Sequence, residues 1–158
     1  MPEFKPIRPD EVVIDLPPAT AAGLVFIGRI RSAYASPADC PKNTADRTEP
    51  AAIEVDPAFA DGLIGIDGYS HLVVLVWLDR SRRDVIVQSP RHLDRPHGVF
   101  ALRSPVRPNP IGLSVAEVLG REGCHIRIRA TDFADGTPVL DIKPYLPRID
   151  AVPAARTP

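Results

Sequence analysis

The chain has 158 residues, enough for one domain with its own core and short for two independent ones. Its composition, 44% hydrophobic and 25% charged, is that of a globular protein, and its longest apolar run, residues 72–78, is far too short to cross a bilayer as a helix. A net charge of -1 excludes a protein that coats nucleic acid by bulk electrostatics, so any RNA contact has to be local.

In chain order, residues 1–23 read as a Pro-rich segment in which Pro2, Pro6, Pro9, Pro17 and Pro18 stand among charges. It lacks the apolar centre of a signal peptide, which makes the cytoplasm the expected location. Residues 24–30 and 51–55 are apolar and β-branched enough for strands. Between them and the next run, Asp56-Pro57 supplies an N-cap acid and a proline at the first helical position, and Gly62 a stop, so one short helix is expected. The Asp67-Gly68 turn signal precedes residues 71–78, which read as a strand buried on both faces. Residues 98–104 and 112–119 are further strand candidates. Residues 124–131 alternate, with Cys124, Ile126, Ile128 and Ala130 on one face and His125, Arg127, Arg129 and Thr131 on a wet one. A turn at Asp135-Gly136-Thr137-Pro138 feeds a strand over 139–142, and residues 151–158 read as a loose tail. With 19 prolines and 10 glycines between short apolar runs, the class is mostly β with one short helix and Pro-rich loops.

Cys40 and Cys124 have neither CxxC spacing nor a neighbouring His pattern and are expected as free thiols, with no metal site. A local basic excess, Arg91, His92, Arg95, His97, Arg103 and Arg107 against Asp94 alone, reads from charge as a solvated loop. Ser70 and His71 lack an identifiable third triad member, and a histidine at the start of a buried strand is more often structural. Asp132, Asp135 and Asp141 offer carboxylates for a pair or a magnesium site, although Asp135 sits where an Asp caps its own turn. No GxGxxG follows a strand, so a doubly wound nucleotide fold lacks its fingerprint. The segment from Arg103 to Ser114 is different: Pro105, Pro108 and Pro110 fix three φ angles, so the loop loses little entropy in ordering Arg103, Arg107 and Asn109 around a ligand.

Five strings occur in a telling order: Ile27-Gly28-Arg29-Ile30-Arg31-Ser32, Cys40-Pro41-Lys42-Asn43, Gly68-Tyr69-Ser70-His71-Leu72, Arg103-Ser104-Pro105-Val106-Arg107-Pro108-Asn109-Pro110-Ile111-Gly112-Leu113-Ser114 and Asp135-Gly136-Thr137-Pro138-Val139-Leu140-Asp141-Ile142-Lys143-Pro144-Tyr145. Together they resemble the TsaA/TrmO family of tRNA methyltransferases over residues 24–150, nearly the whole chain. The resemblance implies a small antiparallel β-barrel that binds S-adenosylmethionine near a homodimer interface. Its implied acceptor is N6 of threonylcarbamoyladenosine 37 in the tRNA anticodon loop. On matching positions it assigns cofactor contacts to Pro41, Lys42 and Asn43, to Asp79 and Arg80, to Arg103 and Leu113, and to Asp135, Gly136, Thr137 and Pro138.

Arg103 or Lys42 suits the amino-acid carboxylate of that cofactor, and a nearby carbonyl or Asp suits its sulfonium. Flanking RNA phosphates fall to Arg107, Arg127 and Arg129, and the catalytic base is open, with Asp79, Asp135 and Asp141 candidates by type alone. Many relatives carry Pro-Arg-Gln where this chain has Pro41-Lys42-Asn43, which replaces a planar fork with a point charge. Asp79 stands where a histidine often closes the buried strand, and the chain resembles the short, single-domain members. Other readings are the same cofactor with another acceptor, a non-catalytic cofactor sensor, and a plain β domain with rigid loops.

Overall fold

The computed structural model describes residues 6–9, 11–13, 23–45 and 47–158. Its strands are β1 (Val12–Val13), β2 (Gly28–Arg31), β3 (Ala51–Val55), β4 (His71–Trp77), β5 (Val85–Gln88), β6 (His97–Gly98), β7 (Ile111–Glu122), β8 (His125–Ile128) and β9 (Pro138–Pro144). Six of them, all paired antiparallel, follow the order β2-β3-β8-β7-β4-β9, and β9 pairs back to β2 to close a barrel. The remaining three form a small sheet, β1-β5-β6, against which part of the Pro-rich N-terminal segment is tied: Arg8 Nη1 donates to Ser89 O at 2.8 Å. The rest of that segment lies outside the described residues.

Alternation on each strand fills the barrel. Ile30, Ile53, Val55, Leu72, Val74, Val76, Ile126, Ile128 and Val139 point inward and are essentially sealed from solvent. Each such side chain stabilises the fold by about 1.5–3 kcal/mol relative to exposure. Phe133, from the connection between β8 and β9, joins this cluster and lies over Gly112, where an added Cβ would stand 2.7 Å from Val76 Cγ2 and 3.1 Å from the Phe133 ring. That close approach is why the Pro110-Ile111-Gly112 string carries a glycine.

The mostly β, antiparallel expectation holds, with corrections in detail. Residues 71–78 are not buried on both faces: Leu72, Val74 and Val76 are in the core, whereas Val73, Leu75 and Trp77 are half-buried on the outside. An antiparallel barrel offers its strands only one core face. Those outward residues are paired with apolar ones on β7, Val73 with Val115, Leu75 with Leu113 and Trp77 with Ile111, giving a continuous apolar outer stripe. Residues 98–104 are not a strand; after β6 the chain turns into a 3-10 helix, Val99–Ala101, because Val99 is buried and Pro105 cannot donate to a ladder. Thr131 is buried rather than wet. The helix over 57–62 exists as a 3-10 helix, Pro57–Leu63, with the Asp56 carboxylate capping Ala58 N at 2.9 Å. A segment this short favours the tighter helix. A single turn of α-helix, Pro147–Asp150, follows β9, and no helix among the described residues is long and apolar enough to cross a membrane.

The antiparallel pairings also sort the connections. Strands β2, β4 and β8 run towards one end of the barrel and β3, β7 and β9 run away from it. The β2–β3 loop, the long excursion from β4 to β7 and the β8–β9 loop therefore all open at that end.

Candidate functional site

The residues assigned by resemblance lie in these three connections or beside them. Pro41, Lys42 and Asn43 are on the β2–β3 loop, Asp79 and Arg80 directly follow β4, Arg103 precedes β7 and Leu113 is on it, and Asp135, Gly136, Thr137 and Pro138 lead into β9. Lys42, Asn43, Asp79, Arg80, Arg103 and Leu113 are exposed, while Thr137 is buried.

The turn before β9 is built first by backbone bonds. Asp135 N donates to Tyr34 O at 2.7 Å, Gly136 N to Ile30 O at 2.9 Å, and Thr137 Oγ1 to Ala134 O at 2.7 Å. Gly136 has φ 79°, in the left-handed region that glycine enters without penalty. The Asp135 carboxylate accepts from Ser32 N at 3.1 Å and from the Arg31 guanidinium at 3.5 Å. Arg80 then bridges two connections: Nη1 donates to Ala35 O at 2.9 Å and Nη2 to Asp135 O at 3.1 Å. One side chain thus holds the β2–β3 loop, the end of β4 and the β8–β9 turn together. Arg103 lies nearby through a bond from Nη2 to Leu113 O at 3.3 Å.

One group in this region has no counterpart among the resemblance-derived contacts. Asp132 Oδ1 is sealed from solvent and makes no hydrogen bond to any described residue. Burial pushes its carboxyl above the ordinary range, against the opposing pull of a backbone hydrogen bond and the Arg103 charge. Cys40 is close enough to sense Asp132; burial first, then Asp132 and Asp39, push its thiol up despite Arg80. Cys40 is therefore a protonated thiol and a poor nucleophile. The sequence did carry a signal for Asp132: it continues the inward phase of Cys124, Ile126, Ile128 and Ala130, a core parity where a carboxylate is out of place.

Other expected groupings do not assemble. Asp135 is taken by Ser32 and Arg31, Asp141 by Lys143, and among the described residues no cluster of three or more His, Cys, Asp or Glu could hold a metal ion. Arg107 is turned to backbone, Nη2 to Val99 O at 2.9 Å, and Arg129 is paired bidentately with Glu117, so neither presents a free fork to a phosphate. Arg127 lies against Gly120, its Nη2 being 2.8 Å from where a Cβ would be. Ser70 Oγ and His71 Nδ1 are 3.0 Å apart at the start of β4, and His71 shares a cavity with Thr44, Ala45 and Arg47 of the β2–β3 loop. Two cavities, of about 270 Å³ beside Gly28 and Glu54 and about 200 Å³ beside His71 and Glu117, contain none of the assigned residues. In one chain the loop cluster is an open surface, and Leu113 carries it onto the apolar outer stripe.

A closed antiparallel barrel with three connections gathered at one end defines the class. Within it, residues 29–151 match the family model for the tRNA-methyltransferase O N-terminal domain, and the chain belongs to that family. A crystal structure of TrmO from P. aeruginosa superposes with a TM-score of 0.72 at 34% identity, covering 89% of this chain and 62% of that one. An Archaeoglobus fulgidus probable S-adenosyl-L-methionine-binding protein is 48% identical over 82% of this chain and 36% of its own length. The Escherichia coli tRNA (adenine(37)-N6)-methyltransferase is 40% identical over 61% of this chain and 44% of its own length. The chain thus spans about a third to three fifths of these relatives.

Proposed function

We propose that this chain is an S-adenosylmethionine-dependent methyltransferase that modifies N6 of threonylcarbamoyladenosine 37 in tRNA, working in the cytoplasm as a homodimer. The observation that carries the reading is the convergence, at one barrel end, of the residues assigned by family resemblance, with Arg80 holding them in one arrangement.

The residues present fit the cofactor. It has an anionic carboxylate, which Arg103 and Lys42 would hold, and a cationic end, for which the carbonyls of the β9 turn are suited. The left-handed Gly136 and its neighbours Asp135, Thr137 and Pro138 offer a close-approach backbone surface for a planar base, and Pro41, Asn43 and Asp79 would close its margin. When bound, the cofactor supplies a methyl group made electrophilic by its attachment to a positively charged sulfur. The chain itself aligns the acceptor and excludes water, the main contribution a protein makes to an in-line displacement.

The apolar outer stripe, half-buried at Val73, Leu75 and Trp77 and exposed at Ile111, Leu113 and Val115, supports the dimer, because a second copy seated there would cover both the stripe and the open side of the cluster. Arg91, His92 and Arg95, exposed on the same β4-to-β7 excursion as Arg103, supply positive charge for RNA.

The test is titration calorimetry with S-adenosylmethionine followed by methyl transfer to tRNA with and without threonylcarbamoyladenosine, on protein whose mass has been measured by sedimentation. Binding by a dimer, with transfer only to the modified tRNA, is expected. Transfer to the unmodified tRNA would redirect the acceptor, and binding without transfer to any RNA would leave a cofactor sensor.

A further inference from the structure

We propose that Asp132 is the catalytic base, the group that takes the proton from the acceptor nitrogen as the methyl group arrives; this rests on the methyltransferase reading above. A nitrogen that carries hydrogen and gains a methyl group has to release a proton, and a positioned carboxylate at the site is the simplest acceptor. Of the acids at this end of the barrel, Asp135 is committed to Ser32 N and Arg31, and Asp39 to the Ser36 N–H and hydroxyl. Asp141, on β9, is committed to Lys143 and to Ile142 N. Asp79 is exposed to solvent, with no enclosure around it. Asp132 alone combines enclosure with an oxygen that has no partner among the described residues. Folds rarely leave a buried carboxylate oxygen unsatisfied, and a ligand N–H is what it lacks.

The surrounding charges support the role. Arg103 is the cation that faces Asp132 from the segment before β7, and Cys40 faces it from the β2–β3 loop as a neutral thiol, with Arg80 and Asp39 beyond. Burial is the larger influence and raises proton affinity, while Arg103 moderates it. Such a group is a stronger base than a surface aspartate.

The step balances. The N–H electron pair forms the bond to the methyl carbon, the carbon–sulfur bond breaks with its pair going to sulfur, which becomes a neutral thioether, and the proton moves to Asp132. Solvent recovers that proton after product release.

The experiment compares wild type with Asp132→Asn and Asp132→Ala. Single-turnover transfer should fall at least about 100-fold in both, the low end of what a positioned base contributes. Cofactor affinity by calorimetry should stay within about threefold in Asp132→Asn, and added formate should restore at least about tenfold of the transfer lost in Asp132→Ala. Without any substrate, Asp132→Asn should melt above wild type at neutral pH, and the gain should vanish below the ordinary carboxylate range, where Asp132 is protonated. Transfer within tenfold of wild type overturns the proposal, as does a fall in cofactor affinity parallel to that in transfer, which would make Asp132 a cofactor ligand. A lower melting temperature in Asp132→Asn would show that Oδ1 has a partner, and would overturn the proposal too. A wild-type protein that binds cofactor yet methylates no RNA overturns the methyltransferase reading, and this proposal with it.

Discussion

Replacing Arg80 with alanine removes two hydrogen bonds from one guanidinium, to Ala35 O at 2.9 Å and to Asp135 O at 3.1 Å. A bond from a charged donor to a carbonyl has a net worth of roughly 1.5–3 kcal/mol when protected, and about 1 kcal/mol is a fair figure for an exposed one. Two of them give about 2 kcal/mol, all of it spent on holding the β2–β3 loop against the turn before β9. No core side chain moves, so the melting temperature should fall little. The cost should instead appear when a ligand has to reassemble the loops: cofactor affinity should drop roughly tenfold to thirtyfold, since 1.4 kcal/mol is a factor of ten. Amide exchange at Asp135 and along residues 34–40 should accelerate by a similar factor. Arg80→Lys should behave more like alanine than like arginine, because a single ammonium lacks the planar fork that spans two carbonyls. Affinity within about twofold of wild type, with unchanged exchange, would refute the reasoning and shift the tether to Asp135 and Ser32.

Gly28→Ala should cost at least about 2 kcal/mol in urea unfolding, because its Cβ would stand 2.2 Å from Glu54 O and 2.9 Å from Val55 Cα, both rigid backbone of the paired strand. Acid should unfold the protein through its paired carboxylates. Hydrogen bonds from Arg29 and Arg31 hold Glu54 at about 2, and Arg121, Arg82 and Arg129 hold Asp67, Asp84 and Glu117 below their ordinary values. A lowered native value means stability present above the ordinary carboxylate range and lost as pH falls towards the native one, so circular dichroism should lose its folded signal between about pH 4.5 and 2. Glu54→Gln should flatten that dependence.

Much of this was legible in the residues. Residues 51–55 form β3 at the expected bounds because their alternation is strict and Pro50 and Pro57 fence them. The β9 turn was legible from Asp135-Gly136, whose chemistry is local. By contrast β5 is a four-residue strand whose partners are β1, far away in the Pro-rich segment, and the two residues of β6; nothing near Val85 announces that pairing. Arg107 looked available for a ligand, yet the irregular backbone before β7 leaves the carbonyls of Val99 and Ser104 without a ladder, and its guanidinium serves them. The Arg80 bridge joins residues 45 and 55 positions away in the chain, which periodicity cannot reveal.

The barrel is not closed with equal strength all round. Strand β4 is paired to β7 over the whole of His71–Trp77, whereas β2 meets β9 only at Gly28 with Val139 and Arg29 with Pro138. Beyond those pairs the junction is continued by the turn itself, through Ile30 N to Thr137 O, Gly136 N to Ile30 O and the Asp135 carboxylate on Ser32 N. The seam of the barrel and the floor of the candidate site are therefore the same backbone. Whatever occupies that floor stitches the seam, so occupancy and closure are thermodynamically linked, and a substitution at Asp135 or Gly136 weakens both together.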